Sequence, residues 1–265
     1  MIKLVSTDMD GTFLRDNMSY DEEKFAALQK QFHKQGIRFV VASGNQYFQL
    51  KSFFKAYADT IYVAENGACI RDQKQIYALH SFAPTTVDHI LNDLALIPDL
   101  KIIVCGEKSA YILASEDPAY ITKMRQFYYH LDTVADFSKI DDHIVKFAVG
   151  CPPEKTDELV KQLKSLLSGL AEPTSSGHGD IDLIQPGINK AAGLKELGNI
   201  LGIELSEMCA FGDGGNDLEM IRETGLGIAM QNAQPAVKAV ANDQTTDNQH
   251  QGVLVYLEQL LKTQK

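Results

Sequence analysis

The chain is short of cysteine, and none of its four (Cys69, Cys105, Cys151 and Cys209) stands in a CxxC pair. That excludes a zinc ribbon and predicts free thiols, most of them in apolar stretches, in a reducing compartment. No run of about 18 apolar residues occurs, so no membrane-spanning helix is expected. The N-terminus reaches Asp8 before an export-signal hydrophobic stretch could form, so a cytoplasmic location is expected. Basic residues are also in deficit. Lys and Arg number 25 against 35 Asp and Glu, a net charge of -10, which argues against a nucleic-acid face. The seven histidines lack paired spacing and read as structural or exposed.

What is present suffices for a substantial core: 265 residues, 45% of them hydrophobic. Residues 2–5 form a short apolar strand. The segment Ser19–Glu22 (SYDE) reads as a capping box, Phe25, Leu28 and Phe32 follow at helical spacing, and Gly36 ends the helix. A second apolar strand (36–42) stops at Ser43-Gly44. A helix over 46–56, a strand over 61–64 and a turn at 65–67 come next. This alternation predicts an α/β, Rossmann-like parallel sheet with helices on its faces, where ligands gather at the carboxyl ends of the strands. Asp8, Ser43 and Asn66 all fall there.

The rhythm changes near residue 80. A helix at 87–96 and close strands at 101–105 and 110–113 are echoed by a strand at 143–149, a helix at 154–167 and strands near 170–173 and 180–184. Two helix-plus-hairpin units predict an α+β domain with a mainly antiparallel sheet. The first pattern then resumes. The expected architecture is a catalytic core from residues 1–82 and 185–265, with a cap inserted at 83–184.

The chemistry concentrates in two segments. In Lys3–Thr12 (KLVSTDMDGT), Asp8 and Asp10 follow the strand at i and i+2, and Gly11 lets the chain bend so that both reach one cation. In Gly212–Asp217 (GDGGND), glycines make a tight turn ahead of a helix. Mg2+ favours carboxylate oxygens, and Asp8, Asp10, Asp213, Asn216 and Asp217 are the candidate ligands. Asp213 would bind directly, while Asn216 and Asp217 would orient metal water, phosphate or a lysine amine. The EF-hand spacing is missing, so calcium is not the reading. Asp8 serves as nucleophile, and Asp10 as the acid that protonates the leaving oxygen and then activates water. Thr12 would bind the loop or hold Asp10. Ser43 and the Gly44 amide could hold a phosphoryl oxygen, and Lys190, at a predicted helix start, would neutralise its charge. Alone, each has a bland alternative as a solvated turn or a surface lysine. Together they describe phosphoryl transfer.

These motifs resemble those of the haloacid-dehalogenase-like phosphohydrolases, in particular the Cof-type group with a large cap of the C2 type inserted late in the core. Asp8 matches the family's nucleophile and Asp10 its acid/base; Ser43 matches the phosphate-binding Ser/Thr, Lys190 the stabilising lysine and Gly212–Asp217 the acidic metal motif. Glu65–Ala68 (ENGA) matches the segment that places Asn66 at the cavity rim. Between Asp10 and Ser43 there is no room for a domain, whereas the long interval from Ser43 to Lys190 fits the cap. Many relatives carry arginine where this chain has Asn45. That variation resembles the sugar-phosphatase branch and implies sugar phosphates as substrates.

The resemblance thus implies a Mg2+-dependent phosphatase of small phosphorylated metabolites. Charge and the lack of a long apolar run argue against nucleic-acid and membrane partners, and a monomer is the default expectation because the site needs no partner chain. Within the cap, His178 and Asp180 are candidates for contacting sugar hydroxyls. Phe127, Tyr128 and Tyr129 could instead wall a site for flavin mononucleotide or pyridoxal phosphate. A phosphomutase, a glycosyltransferase with a lone DxD pair, and an inactive binding module are weaker alternatives. The late position of the cap lowers the first, and the other two do not account for Asp8, Asp10, Lys190 and Asp213 together.

Overall fold

The computed structural model describes residues 1–177 and 179–264. The first stretch runs β1 (Leu4–Thr7), α1 (Glu22–Gln35), β2 (Arg38–Ala42), α2 (Tyr47–Phe53), β3 (Ile61–Ala64), β4 (Cys69–Arg71) and β5 (Ile76–Leu79). Next come α3 (Pro84–Leu94), β6 (Lys101–Gly106), β7 (Ala110–Leu113), α4 (Pro118–Met124), β8 (Leu131–Val134), β9 (Ile144–Gly150), α5 (Thr156–Leu166), β10 (Glu172–Gly177) and β11 (Asp180–Ile184). The last stretch holds α6 (Lys190–Leu201), β12 (Met208–Gly212), α7 (Leu218–Glu223), β13 (Leu226–Ala229), α8 (Pro235–Val240), β14 (Asp243–Gln244) and α9 (Gly252–Thr263).

Two sheets result. The larger has the order β14-β13-β12-β1-β2-β3-β4-β5, parallel from β14 through β3 and antiparallel at β4 and β5. Its central strands are buried on both faces, as their near-continuous apolar runs require. Val5 lies between Phe39 and Cys209, and Thr7 between Val41 and Phe211. Below the loop that follows β1, aromatic rings interlock: Phe25 and Phe39 have centroids 4.9 Å apart, and Phe13 meets Phe25 edge-on at 5.4 Å. Met9, Phe13 and Leu14 are fully buried, and the Met9 carbonyl accepts from the amides of Thr12, Phe13 and Leu14. That anchored loop holds Asp8 and Asp10 at the sheet's carboxyl edge.

The smaller sheet, ordered β10-β11-β9-β6-β7-β8, is antiparallel except for the β7–β8 pair. Phe147, Ile181 and Leu183 pack with Ile90 and Leu94 of α3 and Leu159 and Leu163 of α5. Side chains alternate along a strand, so Lys146, Ala148 and Gly150 of β9 and Asp180 and Asp182 of β11 face the opposite way, toward the larger sheet. The fold is therefore α/β, with a parallel-sheet core and an α+β cap over its carboxyl edge.

Local expectations were corrected in several places. Asp21, not Ser19, caps α1, its carboxylate accepting from the Lys24 amide at 2.9 Å, while Ser19 bonds Asn17. The core sheet extends through β4 and β5, which the sequence reading left unassigned, and the cap gains α4 and β8. Cys69, Cys105 and Cys209 are buried free thiols and Cys151 is half-buried. Among the described residues no helix is long and apolar enough to cross a membrane.

Candidate active site

The last ladder bond of β1, from the Asp8 amide to Phe211 O (3.0 Å), sets Asp8 beside the end of β12. α6 starts opposite. Asn189 caps it by accepting from the Ala192 amide at 2.8 Å, which leaves Lys190 in the first turn, pointing inward and 1% exposed. Its Nζ donates to Asp8 Oδ1 at 2.7 Å and to Asp217 Oδ1 at 2.6 Å. Asp217 Oδ2 accepts from the Asp213 and Gly214 amides, both at 2.9 Å, so this fully buried carboxylate closes the turn and holds the lysine. Thr12 holds Asp213 rather than Asp10, donating to its Oδ1 at 2.5 Å. Gly11 is required here on two counts. Its φ is +74°, and a Cβ would lie 2.6 Å from Asp213 Oδ2.

Oxygen atoms of Asp8, Asp213 and Asp217 lie within 4.8 Å of one another. Three carboxylates face one ammonium, and the electrostatics show the surplus. Burial and the Asp217 charge raise Asp8 well above the usual carboxylate range, against the pull of Lys190. Burial likewise pushes Asp213 up to about 6 despite the Thr12 hydrogen bond. Burial works against the Lys190 charge, but Asp217 and Asp8 outweigh it and hold the ammonium above the ordinary lysine range. A divalent cation on these oxygens would supply the missing positive charge, so the donor set fits Mg2+.

Asp10 stays exposed outside this cluster, where Asn45 Nδ2 donates to its Oδ2 at 2.6 Å. Ser43 is buried in the adjoining loop, its Oγ accepting from the Asn45 amide at 3.1 Å. Asp8, Asp10, Ser43, Gly44, Asn45, Asp213 and Asn216 all open on one cavity of about 360 Å³ between core and cap, and Asp180 lines its far side. Tyr120, Phe127 and Tyr128 form an aromatic flank with Met124 beside them, whereas Tyr129 opens on a separate cleft of the cap. His178 lies outside the described residues.

Asn66 is the main correction. It does not stand at the rim: it is 1% exposed, donates to Asp182 Oδ2 at 2.7 Å and accepts from Asn216 at 3.1 Å. Sequence reasoning missed the partners behind it. Lys146 of the cap donates to Gly44 O at 2.6 Å and pairs with Glu65 Oε2 at 2.9 Å and Asp182 Oδ1 at 3.2 Å. Burial opposes the Lys146 charge, yet Asp182 and Glu65 hold it well above the lysine range. Further along, Gln46 Nε2 donates to His130 O and its Oε1 accepts from the His130 amide, while Phe48 stacks on the His130 ring at 3.6 Å. The cap is thus docked on the core by both ionic and aromatic contacts.

The sequence profile of the haloacid dehalogenase-like hydrolases matches residues 5–257. The chain belongs to that family. As a haloacid dehalogenase-like hydrolase it is 42% identical, over 98% of its length and 97% of the relative's, to the 5-amino-6-(5-phospho-D-ribitylamino)uracil phosphatase YbjI of Escherichia coli (strain K12). It is 26% identical to the HMP-PP phosphatase of Cronobacter sakazakii (strain ATCC BAA-894), across 90% of this chain and 88% of that one. Among solved structures, SMU.1108c from Streptococcus mutans UA159 superposes with a TM-score of 0.94 at 32% identity, covering 99% of this chain and 100% of the other. The hydrolase is a phosphatase of the Cof type.

Proposed function

We propose that this hydrolase is a Mg2+-dependent phosphomonoesterase acting on a sugar phosphate or sugar-alcohol phosphate through an aspartyl-phosphate on Asp8. The observation that carries the reading is the Asp8–Lys190–Asp217 chain, buried beside Asp213, with Asp8 and Asp213 lining the cavity.

Asp8, Asp213 and Asp217 provide the carboxylate cluster that would hold Mg2+, with Asp10 and Asn216 beside it. When bound, the ion would withdraw charge from the phosphoryl oxygens. Lys190 occupies Asp8 Oδ1, which leaves Oδ2 to attack phosphorus as the ester P–O bond breaks. Ser43 Oγ and the Gly44 amide hold phosphoryl oxygens, and Lys190 offsets the charge that accumulates on them. Asp10, oriented by Asn45, gives its proton to the departing alcohol and then takes one from the water that cleaves the Asp8–phosphate bond. Cap docking excludes bulk water from these steps.

Residues 1–82 and 185–265 serve as the core and 83–184 as the cap. The site draws on a single chain and is proposed to work as a monomer in the cytoplasm.

The aromatic flank favours a second, narrower reading: a ribityl phosphate that carries a planar heterocycle. YbjI acts on such a compound, and Tyr120, Phe127 and Tyr128 offer a face for a ring. Phosphate release with Mg2+ from ribitol phosphate, hexose phosphates, the ribitylaminouracil phosphate, flavin mononucleotide and pyridoxal phosphate tests both readings. Release lost in Asp8→Asn supports the reaction, and the rate ranking separates sugar from ring-bearing substrates. No release from folded, Mg2+-loaded protein would refute the proposal.

A further inference from the structure

We infer that Asp182 is a specificity-determining residue, reading a hydroxyl group next to the ester, and that its wall of the cavity rejects a second anion there. This rests on the phosphomonoesterase reading above.

Asp182 lines the cavity with a quarter of its side chain exposed (24%), while its strand neighbours Ile181 and Leu183 are buried in the cap core. The carboxylate is fixed from behind. Asn66 Nδ2 donates to Oδ2 at 2.7 Å, and Lys146 Nζ lies 3.2 Å from Oδ1 and 3.3 Å from Oδ2. A carboxylate offers about four acceptor positions, so these contacts leave capacity for a donor from the cavity.

Its place along the substrate follows from Gly44. A Cβ there would lie 3.1 Å from Asp182 Oδ2 and 3.0 Å from Asn66 Nδ2, so the carboxylate rests against the loop of Ser43. A leaving group whose phosphate sits on Ser43 therefore passes Asp182 with its first carbons.

The sign of the wall follows from Lys146. Its ammonium donates to Gly44 O and Asp182 and lies 2.9 Å from Glu65 Oε2, so its charge is already matched by two carboxylates before any substrate enters. One ammonium faces two carboxylates, and the trio keeps a negative charge. A neutral polyol can donate a hydroxyl to Asp182, whereas a carboxylate or second phosphate meets repulsion. Because Lys146 and Asp182 belong to the cap while Gly44, Glu65 and Asn66 belong to the core, this reader is complete only when the cap is docked.

The test compares kcat/KM, with Mg2+, for glycerol phosphate, propyl phosphate and terminal phosphoglycerate, which differ in the neighbouring hydroxyl and in an added carboxylate. In the wild type, glycerol phosphate should exceed propyl phosphate by about 10–100-fold, the worth of one charge-assisted hydrogen bond, and phosphoglycerate should be the poorest. In Asp182→Asn, and in Asp182→Ser should the first variant fail to fold, the glycerol-to-propyl ratio should collapse toward one through KM, and phosphoglycerate should gain on both. Equal loss on all three substrates would mark Asp182 as a structural partner of Lys146 and overturn the inference. So would a wild type that does not distinguish them. Failure of the folded wild type on every ester, here and in the wider panel, would instead overturn the phosphomonoesterase reading and this inference with it.

Discussion

Replacing Lys190 by methionine keeps the volume of the side chain and removes the ammonium that, among the described residues, bridges Asp8 and Asp217. The contacts are 2.7 and 2.6 Å long and the lysine is 1% exposed. At an effective dielectric constant of about 20, each is worth roughly 6 kcal/mol of gross attraction, most of it offset by desolvation. Removing one partner of such a buried group costs about 3–5 kcal/mol, because it leaves unpaired carboxylates. The loss should depend on pH. Without Lys190 the folded-state values of Asp8 and Asp213 rise further above their unfolded values, since burial and Asp217 already push Asp8 up. A raised carboxylate contributes stability that is present at low pH and is lost as pH rises through its folded value. Lys190→Met should thus be nearest to wild type at about pH 5 and most destabilised at about pH 8, and Mg2+ should recover part of the loss. Activity should fall by about 100–1,000-fold or more, as for loss of one charge-stabilising donor. Denaturant unfolding across this range, with and without Mg2+, checks the stability, and phosphate release checks the rate. A destabilisation that is the same at every pH, or a variant that retains its rate, would refute the reasoning.

Other perturbations separate the parts of the site. Asp8→Asn should reduce phosphate release by about 10,000-fold or more while leaving the metal-free protein at least as stable, because one crowded charge is gone; thermal unfolding beside the rate assay checks both. Asp213, pushed up to about 6, must lose its proton to take a metal, so Mg2+ affinity should climb with pH through that value, with proton release on binding seen by calorimetry in two buffers. Affinity that is flat across that range would contradict the assignment. Gly11→Ala should weaken Mg2+ binding and destabilise the fold by about 1–3 kcal/mol, since the methyl group would meet Asp213 at φ +74°; a titration with and without metal reads both effects. Gln46→Ala should loosen the cap by removing its two bonds to the His130 backbone, raising hydrogen exchange at Leu131 and Ala110 without unfolding the core sheet.

The parallel core was legible because its strands are apolar runs that end in polar groups: β1 before Asp8, β2 before Ser43 and β12 before Asp213. Lys190 was legible from its place at the first position of a helix capped by Asn189. The cap contacts were not. Lys146 reads as one polar residue within an apolar strand, and Asp182 as an alternating charge, and only tertiary pairing brings them to Glu65, Gly44 and Asn66. Short elements also escaped. α4 has only seven residues, too short for its apolar spacing (Tyr120, Ile121, Met124) to stand out, although Asp117-Pro118 is a cap-and-first-turn signal that could have revealed it. β8 pairs through two exposed central residues, Asp132 and Thr133, and so lacks an apolar run.

The most direct test of the central claim is to quench the wild-type enzyme with acid during turnover of a radiolabelled phosphomonoester and map the label by peptide. The account predicts label on the peptide that contains Asp8, dependent on Mg2+ and absent from Asp8→Asn. Rapid Mg2+-dependent phosphate release with no label on that peptide, or undiminished release by Asp8→Asn, would contradict it.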